Sequence, residues 1–321
     1  MKVLVAGPSG ALGAPTVREL VSRGHEVIGL TRSEAKADTI RGLGATPVFG
    51  DVLVAGDTKR VIADAQPETV VQLLNALPKR GPIRASEIEA TSELRTTGTR
   101  NLLDAALQNG VRRYLVESMI FGYGYGGRDG EPLSEDAPFG VPTGSKQLDD
   151  ALGALTSMEG RVLGATESGN VEGIVLRLGL FYGAGIGSTE FMLSMLRKRI
   201  LFLPGEAAGR LSWIHVEDGA RAVAEALERA EPGSVFNVVD DEPASFRQFA
   251  TTLADAHGLP GPKKAPLAVA KKVSSYASLM ATTDLRVSNA RLKEELGWSP
   301  GYPTIRAGID TMASTSTLSR R

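Results

Sequence analysis

The sequence predicts an α/β fold: a doubly wound parallel sheet of about seven strands. Three observations carry this. Short apolar runs alternate with helical stretches up to Leu178. A glycine-rich turn joins the first run to the first helix. The chain has 321 residues, of which 42% are hydrophobic, enough to bury a large core.

Taken in order, Val3–Ala6 reads as the first strand and Ala14–Arg23 as its helix. His25–Thr31 is the second strand, with a helix near Glu34–Leu43, and Thr46–Phe49 is the third. A helix over Thr58–Ala65 leads to a fourth strand, Thr69–Leu74. The long helix Glu87–Asn109 stops at Gly110, a normal C-terminal signal. Tyr114–Val116, Gly173–Leu178 and Val235–Val239 are the fifth to seventh strands. Strands this short and apolar, separated by helices, imply βαβ units covered on both faces, with right-handed crossovers. After Leu178 the pattern becomes irregular, with helices expected at Val216–Ala230 and Phe246–His257 and a loop at Gly258–Pro266. The Ser/Thr-rich residues after Thr311 read as a disordered tail.

Composition narrows the chemistry. There is no Cys, which excludes disulfides, thiol catalysis and thiolate metal sites. The three histidines, His25, His215 and His257, are scattered, so no metal is expected. A net charge of −1 gives no reason to expect a nucleic-acid or anionic-membrane partner. The first strand begins at Val3, which leaves no room for a leader, and no apolar run is long enough to span a bilayer. The expectation is a cytoplasmic protein with a small-molecule substrate, and a homodimer fits this class.

The strongest motif is Gly7-Pro8-Ser9-Gly10-Ala11-Leu12-Gly13, between the first strand and first helix. Gly7 allows the tight turn, Gly10 lets the backbone approach a pyrophosphate, and Gly13 lets helix and strand pack closely. Ser9, Ala11 and Leu12 complete the loop, and the helix N-terminus offers free N–H groups and partial positive charge. This is a dinucleotide site of Rossmann type. An NAD protein would place an acid at the end of the second strand to bind the ribose hydroxyls. Here the strand ends Thr31-Arg32-Ser33. Arg32 can pair with a 2′-phosphate and the flanking hydroxyls can add donors, so NADP(H) is preferred and NAD(H) stays open. The competing reading makes Arg32 a solvated residue and Ser33 a helix cap. Asp51 and Val52, after the third strand, stand where adenine is read, and Asn75-Ala76-Leu77, after the fourth, along the nicotinamide half.

Further segments carry a family resemblance. They are Gly98-Thr99-Arg100-Asn101-Leu102-Leu103 on the long helix, Leu176-Arg177-Leu178-Gly179-Leu180-Phe181-Tyr182-Gly183, Trp213-Ile214-His215-Val216-Glu217-Asp218, Phe236-Asn237-Val238-Val239, and Glu295-Leu296-Gly297-Trp298-Ser299-Pro300. Together with the turn they resemble the extended short-chain dehydrogenase/reductases, the epimerase/dehydratase-like group, over nearly the whole chain. The resemblance implies a Rossmann domain from 1–177 with 208–240, a substrate domain from 178–207 with 241–311, and a tail at 312–321. It also implies a Tyr-x-x-x-Lys pair preceded by a Ser or Thr.

The chain departs from that pattern. Ser118 fits the Ser, and Lys146 is the obvious Lys, but four residues before it stands Pro142. Aligning on Glu159 instead puts Ala151 and Leu155 at the two positions. Arg95 stands where the long helix often carries Asn. The catalytic candidates are therefore Ser118, Lys146 and, as a substitute proton donor, Tyr123, with Tyr125 behind it. Tyr182 and Gly183 are expected to shape the substrate pocket, His215 to be structural, and Asp149, Asp150 and Glu159 to be helix-surface or capping groups. The expected function is an NADP(H)-dependent oxidoreductase acting on a small carbonyl or alcohol. A nucleotide-sugar epimerase or dehydratase and a non-catalytic NADP(H) sensor are the alternatives.

Overall fold

The computed structural model describes residues 1–125 and 131–318. Seven parallel strands form one sheet: β1 (Lys2–Ala6), β2 (Glu26–Thr31), β3 (Thr46–Phe49), β4 (Thr69–Gln72), β5 (Arg113–Met119), β6 (Glu172–Leu178) and β7 (Val235–Val238). Their order is β7-β6-β5-β4-β1-β2-β3. The register aligns the apolar centres, with Val5 opposite Gly29 and Val71, and Val71 opposite Leu115. The order reverses direction between β1 and β4, and open sheets bind ligands at the strand carboxyl ends beside such a switch.

Helices cover both faces, as the continuous apolar strands require. Helices α1 (Gly13–Ser22) and α2 (Ala37–Gly42) bury residues such as Val17, Leu20 and Ile40 on one face. Helix α3 (Ala55–Ala65) packs on the other, through Val61 and Ile62. The predicted long helix is interrupted: α4 (Glu89–Glu93) runs through a π turn at Leu94–Gly98 into α5 (Thr99–Gln108). Helices α5 and α6 (Lys146–Glu167) complete the second face through Leu102, Leu152, Leu155 and Met158.

After β6 come α7 (Gly187–Arg197) and α8 (Val216–Arg229); α8 returns to pack on α1, and β7 then closes the sheet edge. The remaining helices are α9 (Phe246–Ala256), α10 (Leu267–Val273), α11 (Ser275–Thr282), α12 (Ala290–Leu296) and α13 (Ile305–Leu318). Short ladders tie this region together. Leu180–Tyr182 pairs with Trp213–His215, and Phe202–Pro204 with Lys263–Ala265.

Two local expectations change. The stretch expected to be a loop at 258–266 contains the strand Lys263–Ala265. The Ser/Thr-rich tail is helical as far as Leu318, because Ile305, Ile309 and Met312 form an i, i+4, i+7 stripe packed with Phe249 and Leu253 of α9; residues 319–321 lie outside the described residues. No helix among the described residues is long and apolar enough to cross a membrane.

Candidate functional site

The glycines of the first turn are demanded by different neighbours. A Cβ on Gly7, at φ +95°, would lie 2.3 Å from the Leu73 carbonyl oxygen, and one on Gly13 only 1.9 Å from that of Gly7. Both positions are closed by the protein itself. Gly10 is exposed, and its Cβ would meet only the Gly7 carbonyl oxygen at 3.3 Å. Its open side, with exposed Ala11 beside it, is a cradle that a side chain would fill, so these residues fit a pyrophosphate. Leu12 and Gly13 are buried, Ser9 is half-buried, and no side chain caps the N-terminus of α1.

At the end of β2, Arg32 is 65% exposed, and its Nη1 lies 3.3 Å from Asp51 Oδ2. Thr31 is buried, and its Oγ1 accepts from the Ser33 amide at 3.2 Å. Asp51 Oδ1 also accepts from the Leu53 amide, and Val52 is held by Asn101 Nδ2 donating to its carbonyl at 2.9 Å. After β4, Asn75 and Ala76 are exposed and Leu77 half-buried. Asn75 Oδ1 accepts from the Leu77 amide at 2.7 Å, fixing the turn. The cofactor candidates thus gather at neighbouring strand ends.

Of the catalytic candidates, Ser118 and Tyr123 meet at one buried ion pair and Lys146 stands apart. Ser118 is fully buried and donates to Glu159 Oε1 at 2.5 Å. Arg177, opposite Ser118 in the register of β6, donates to both oxygens of Glu159, at 2.7 Å to Oε2. Glu159 is therefore an interior partner and not a surface or capping group. Ser118 is a donor within this network and has no face toward a substrate.

Tyr123 is corrected as well. Its hydroxyl accepts from Arg177 Nη1 at 2.9 Å and donates to Asn237 Oδ1 at 2.8 Å. Burial raises its pKa, although Arg177 opposes the shift. In this structure the phenol is engaged with Asn237 and Arg177 in the interior. Lys146 opens α6 with its side chain 87% exposed, and it pairs with Asp150 at 2.6 Å one turn along. It is a surface residue. Asp149 behaves as expected and caps, accepting from the Thr143 amide at 2.6 Å. Of the loop Phe121–Gly127, residues 126 and 127 lie outside the described residues.

Tyr182 is also fully buried, with its hydroxyl on Asp240 at 3.0 Å and its ring against Trp213, His215 and Phe249. Gly183 sits at φ +144°, where a Cβ would meet Val216 and His215. Both hold the junction between the sheet and the C-terminal helices. His215 caps α8, its Nδ1 accepting from the Glu217 amide at 3.4 Å, and burial pulls its pKa down to about 4.

The other face of β5 carries polar groups that sequence reasoning passed over. Glu117 and Met119 alternate with Ser118, so they point away from the Glu159 network. Glu117 is buried, and burial pushes its carboxyl up to about 7, with Arg95 pulling it back. Arg95 is also buried and sits in the π turn. Ala151 and Leu155, at the Tyr and Lys positions in the register aligned on Glu159, are buried apolar residues of α6. A groove of about 360 Å³ opens beside α6 and α10, with Arg84, Gln147, Lys271 and Lys272 on its walls and no acidic side chain. Among the described residues no three His, Asp or Glu could hold a metal.

The sequence model of the NAD dependent epimerase/dehydratase family matches residues 3–239. A 3-diazoavenalumate denitrifying reductase of a Streptomyces species is 33% identical over 96% of this chain and 99% of that protein. A UDP-glucose 4-epimerase of Mycolicibacterium smegmatis is 26% identical over 94% of each. Among solved structures, a UDP-glucose 4-epimerase of Thermotoga maritima with UDP-glucose superposes with a TM-score of 0.82 at 19% identity, over the whole of both chains. One from Thermus thermophilus in complex with NAD gives 0.81 at 22% over 98% of each. A dinucleotide turn at the sheet's switch point, the β7-to-β3 strand order and a family match over most of the sheet agree: the chain belongs to the NAD dependent epimerase/dehydratase family.

Proposed function

We propose that the chain is an NADP(H)-dependent reductase of a small, electrophilic organic acceptor, working in the cytoplasm on a diffusible substrate. One observation carries the reading. The phosphate turn and exposed Arg32 stand at the strand ends, while neither register of the family's Tyr-x-x-x-Lys pair contains the Tyr: one puts Pro142 before Lys146 and the other Ala151 before Leu155. Epimerisation and dehydration of a sugar begin by taking a proton from an unactivated hydroxyl, which needs a strong base at that place. Reduction of an electrophile needs only that developing negative charge be stabilised and neutralised. The Streptomyces relative, named as a reductase of a diazo compound, supports the same choice.

A reduced nicotinamide dinucleotide bound at the turn supplies the hydride. Gly10 and Ala11 receive the pyrophosphate against the N-terminus of α1, and Arg32 turns from Asp51 to the 2′-phosphate. A guanidinium–phosphate contact contributes about 1.5–3 kcal/mol. The exposed Arg32–Asp51 pair that it replaces contributes about 0–1 kcal/mol. The difference favours NADPH over NADH by about tenfold.

The test is a fluorescence titration of both cofactors against the wild type and Arg32→Asp, followed by NADPH oxidation with aldehydes, enones and aryl diazonium salts. NADPH preference lost in Arg32→Asp, with oxidation by one of these acceptors, is the expected result. Equal binding of both cofactors by the wild type would remove the Arg32 argument. Interconversion of UDP-glucose and UDP-galactose would replace the reductase reading with the epimerase one.

A further inference from the structure

The buried groups that the Ser118–Glu159–Arg177 network leaves unused lie on the opposite face of β5. Glu117 and Arg95 are each 7% exposed. They are close enough to perturb each other, yet neither side chain has a hydrogen bond or an ion pair within 4 Å among the described residues. Burying two opposite charges without direct contact is unfavourable, so their donor and acceptor valences are available to a third group. Tyr125, from the loop after β5, and Tyr276, from α11, meet at their hydroxyls beside Arg95 and complete the polar set facing the pair. The π turn that carries Arg95 packs on α6. Leu94, its neighbour in that turn, shares a cluster with Leu155, and Met119 packs with Ala151. Val116, beside Glu117, pairs with Gln72 of β4, and Thr91, one turn before Arg95, meets Ala76 and Asn75 just after β4, so the pair stands at the strand ends where Asn75-Ala76-Leu77 lie. Single π turns inside α-helices occur often at functional sites.

Resting on the reductase reading, we propose that Arg95 and Glu117 are the catalytic pair of this site: the Arg95 guanidinium receives the atom on which negative charge develops, and the Glu117 carboxyl protonates it. The acceptor's double bond takes a hydride at one atom from the reduced nicotinamide dinucleotide. The electron pair displaced to the other atom is held by Arg95 and takes the Glu117 proton. Glu117, left as a carboxylate beside Arg95, regains a proton from solvent. A carboxyl raised by burial to about 7 is half protonated at neutral pH, where a general acid is most effective.

The test reads the groups apart from turnover as well as through it. Infrared titration of the apo protein should show a protonated carboxyl band that disappears near pH 7, is absent from Glu117→Gln, and persists to higher pH in Arg95→Met. In the reductase assay, wild-type kcat/KM should fall as pH rises through 7. Glu117→Gln should lose that limb together with about 10²- to 10⁴-fold in rate, with NADPH affinity unchanged. A Glu117→Gln variant that keeps wild-type rate and pH profile overturns the proposal and leaves the reductase reading standing. If the band titrates but none of the aldehydes, enones and aryl diazonium salts makes the wild type oxidise NADPH, the reductase reading and the catalytic role fall together. If no carboxyl titrates between pH 5 and 9, the pair alone is overturned.

Discussion

Glu159 gives the sharpest test of why Ser118 is buried. Its side chain is 5% exposed and that of Arg177 is 7%. Arg177 reaches it through Nε and Nη2, and Ser118 donates to it at 2.5 Å. Glu159→Ala leaves a buried guanidinium without its counter-charge, which costs about 3–5 kcal/mol. Cation–π contact does not replace the carboxylate, although Arg177 lies 3.7 Å from the Phe139 ring centroid. At about 2–4 °C per kcal/mol for a chain of a few hundred residues, the melting temperature should drop by about 6–20 °C. Ser118→Ala removes one hydrogen bond to a charged acceptor, worth about 1.5–3 kcal/mol, and leaves NADPH turnover unchanged at a temperature where the variant is folded. Removing both charges, in Glu159→Met with Arg177→Met, should recover much of the loss because no lone ion remains. Calorimetry and circular-dichroism melts of the four proteins measure this. A Glu159→Ala melt within about 2 °C of wild type would refute the buried-charge argument. A large loss of turnover in a stably folded Ser118→Ala would return that serine to the catalytic site.

The remaining predictions are smaller in scope. Gly10→Val should abolish NADPH binding while the protein stays folded, whereas Gly13→Val, whose Cβ would lie 1.9 Å from the Gly7 carbonyl oxygen, should lower the melting temperature; paired titrations and melts separate the two. Lys146→Ala removes only an exposed i, i+4 pair, so stability should change by less than about 0.5 kcal/mol and kcat/KM should not change. Glu117 binds a proton more tightly in the folded state, from a reference of 4.5 to about 7, so its contribution to stability is full below about pH 4.5 and is lost as pH rises to 7. Urea unfolding between pH 5 and 8 should show a decline of up to about 3 kcal/mol from this group, flattened in Glu117→Gln.

The sheet was legible because its signals are local. Gly7, Gly10 and Gly13 mark a strand before them and a helix after them, and short β-branched runs such as Thr69-Val70-Val71 between helices read as buried strands. The catalytic reading failed because it followed sequence neighbourhood. Ser118 and Tyr123 sit close together in the chain, but burial and Arg177, some 54 residues beyond Tyr123, decide what their hydroxyls do. A signal was present: an arginine inside Val175-Leu176-Arg177-Leu178 must have a buried partner, and Glu159, between Met158 and Val162, is an acid on an apolar stripe. The tail misled because Ser and Thr composition outweighed the stripe Ile305, Ile309, Met312. Nothing local announced the π turn, since widening one turn depends on what packs outside it.

That turn has a consequence for how the site varies. Each residue of an α-helix advances the side-chain direction by about 100°, and a π turn holds one residue more than a regular turn. Deleting one residue within Leu94–Gly98 would let the helix close up as a continuous α-helix. The flanking segments would keep nearly the same directions, because the π turn spreads its extra residue over about the angle that a regular turn covers. Thr91, whose hydroxyl meets the Ala76 amide and Asn75 at the end of β4, would stay in place, while the widened turn that carries Arg95 into the interior would no longer exist. A single-codon length change, far from the phosphate turn, is therefore enough to exchange the polar equipment of this cleft while the seven-stranded sheet and its dinucleotide cradle stay as they are.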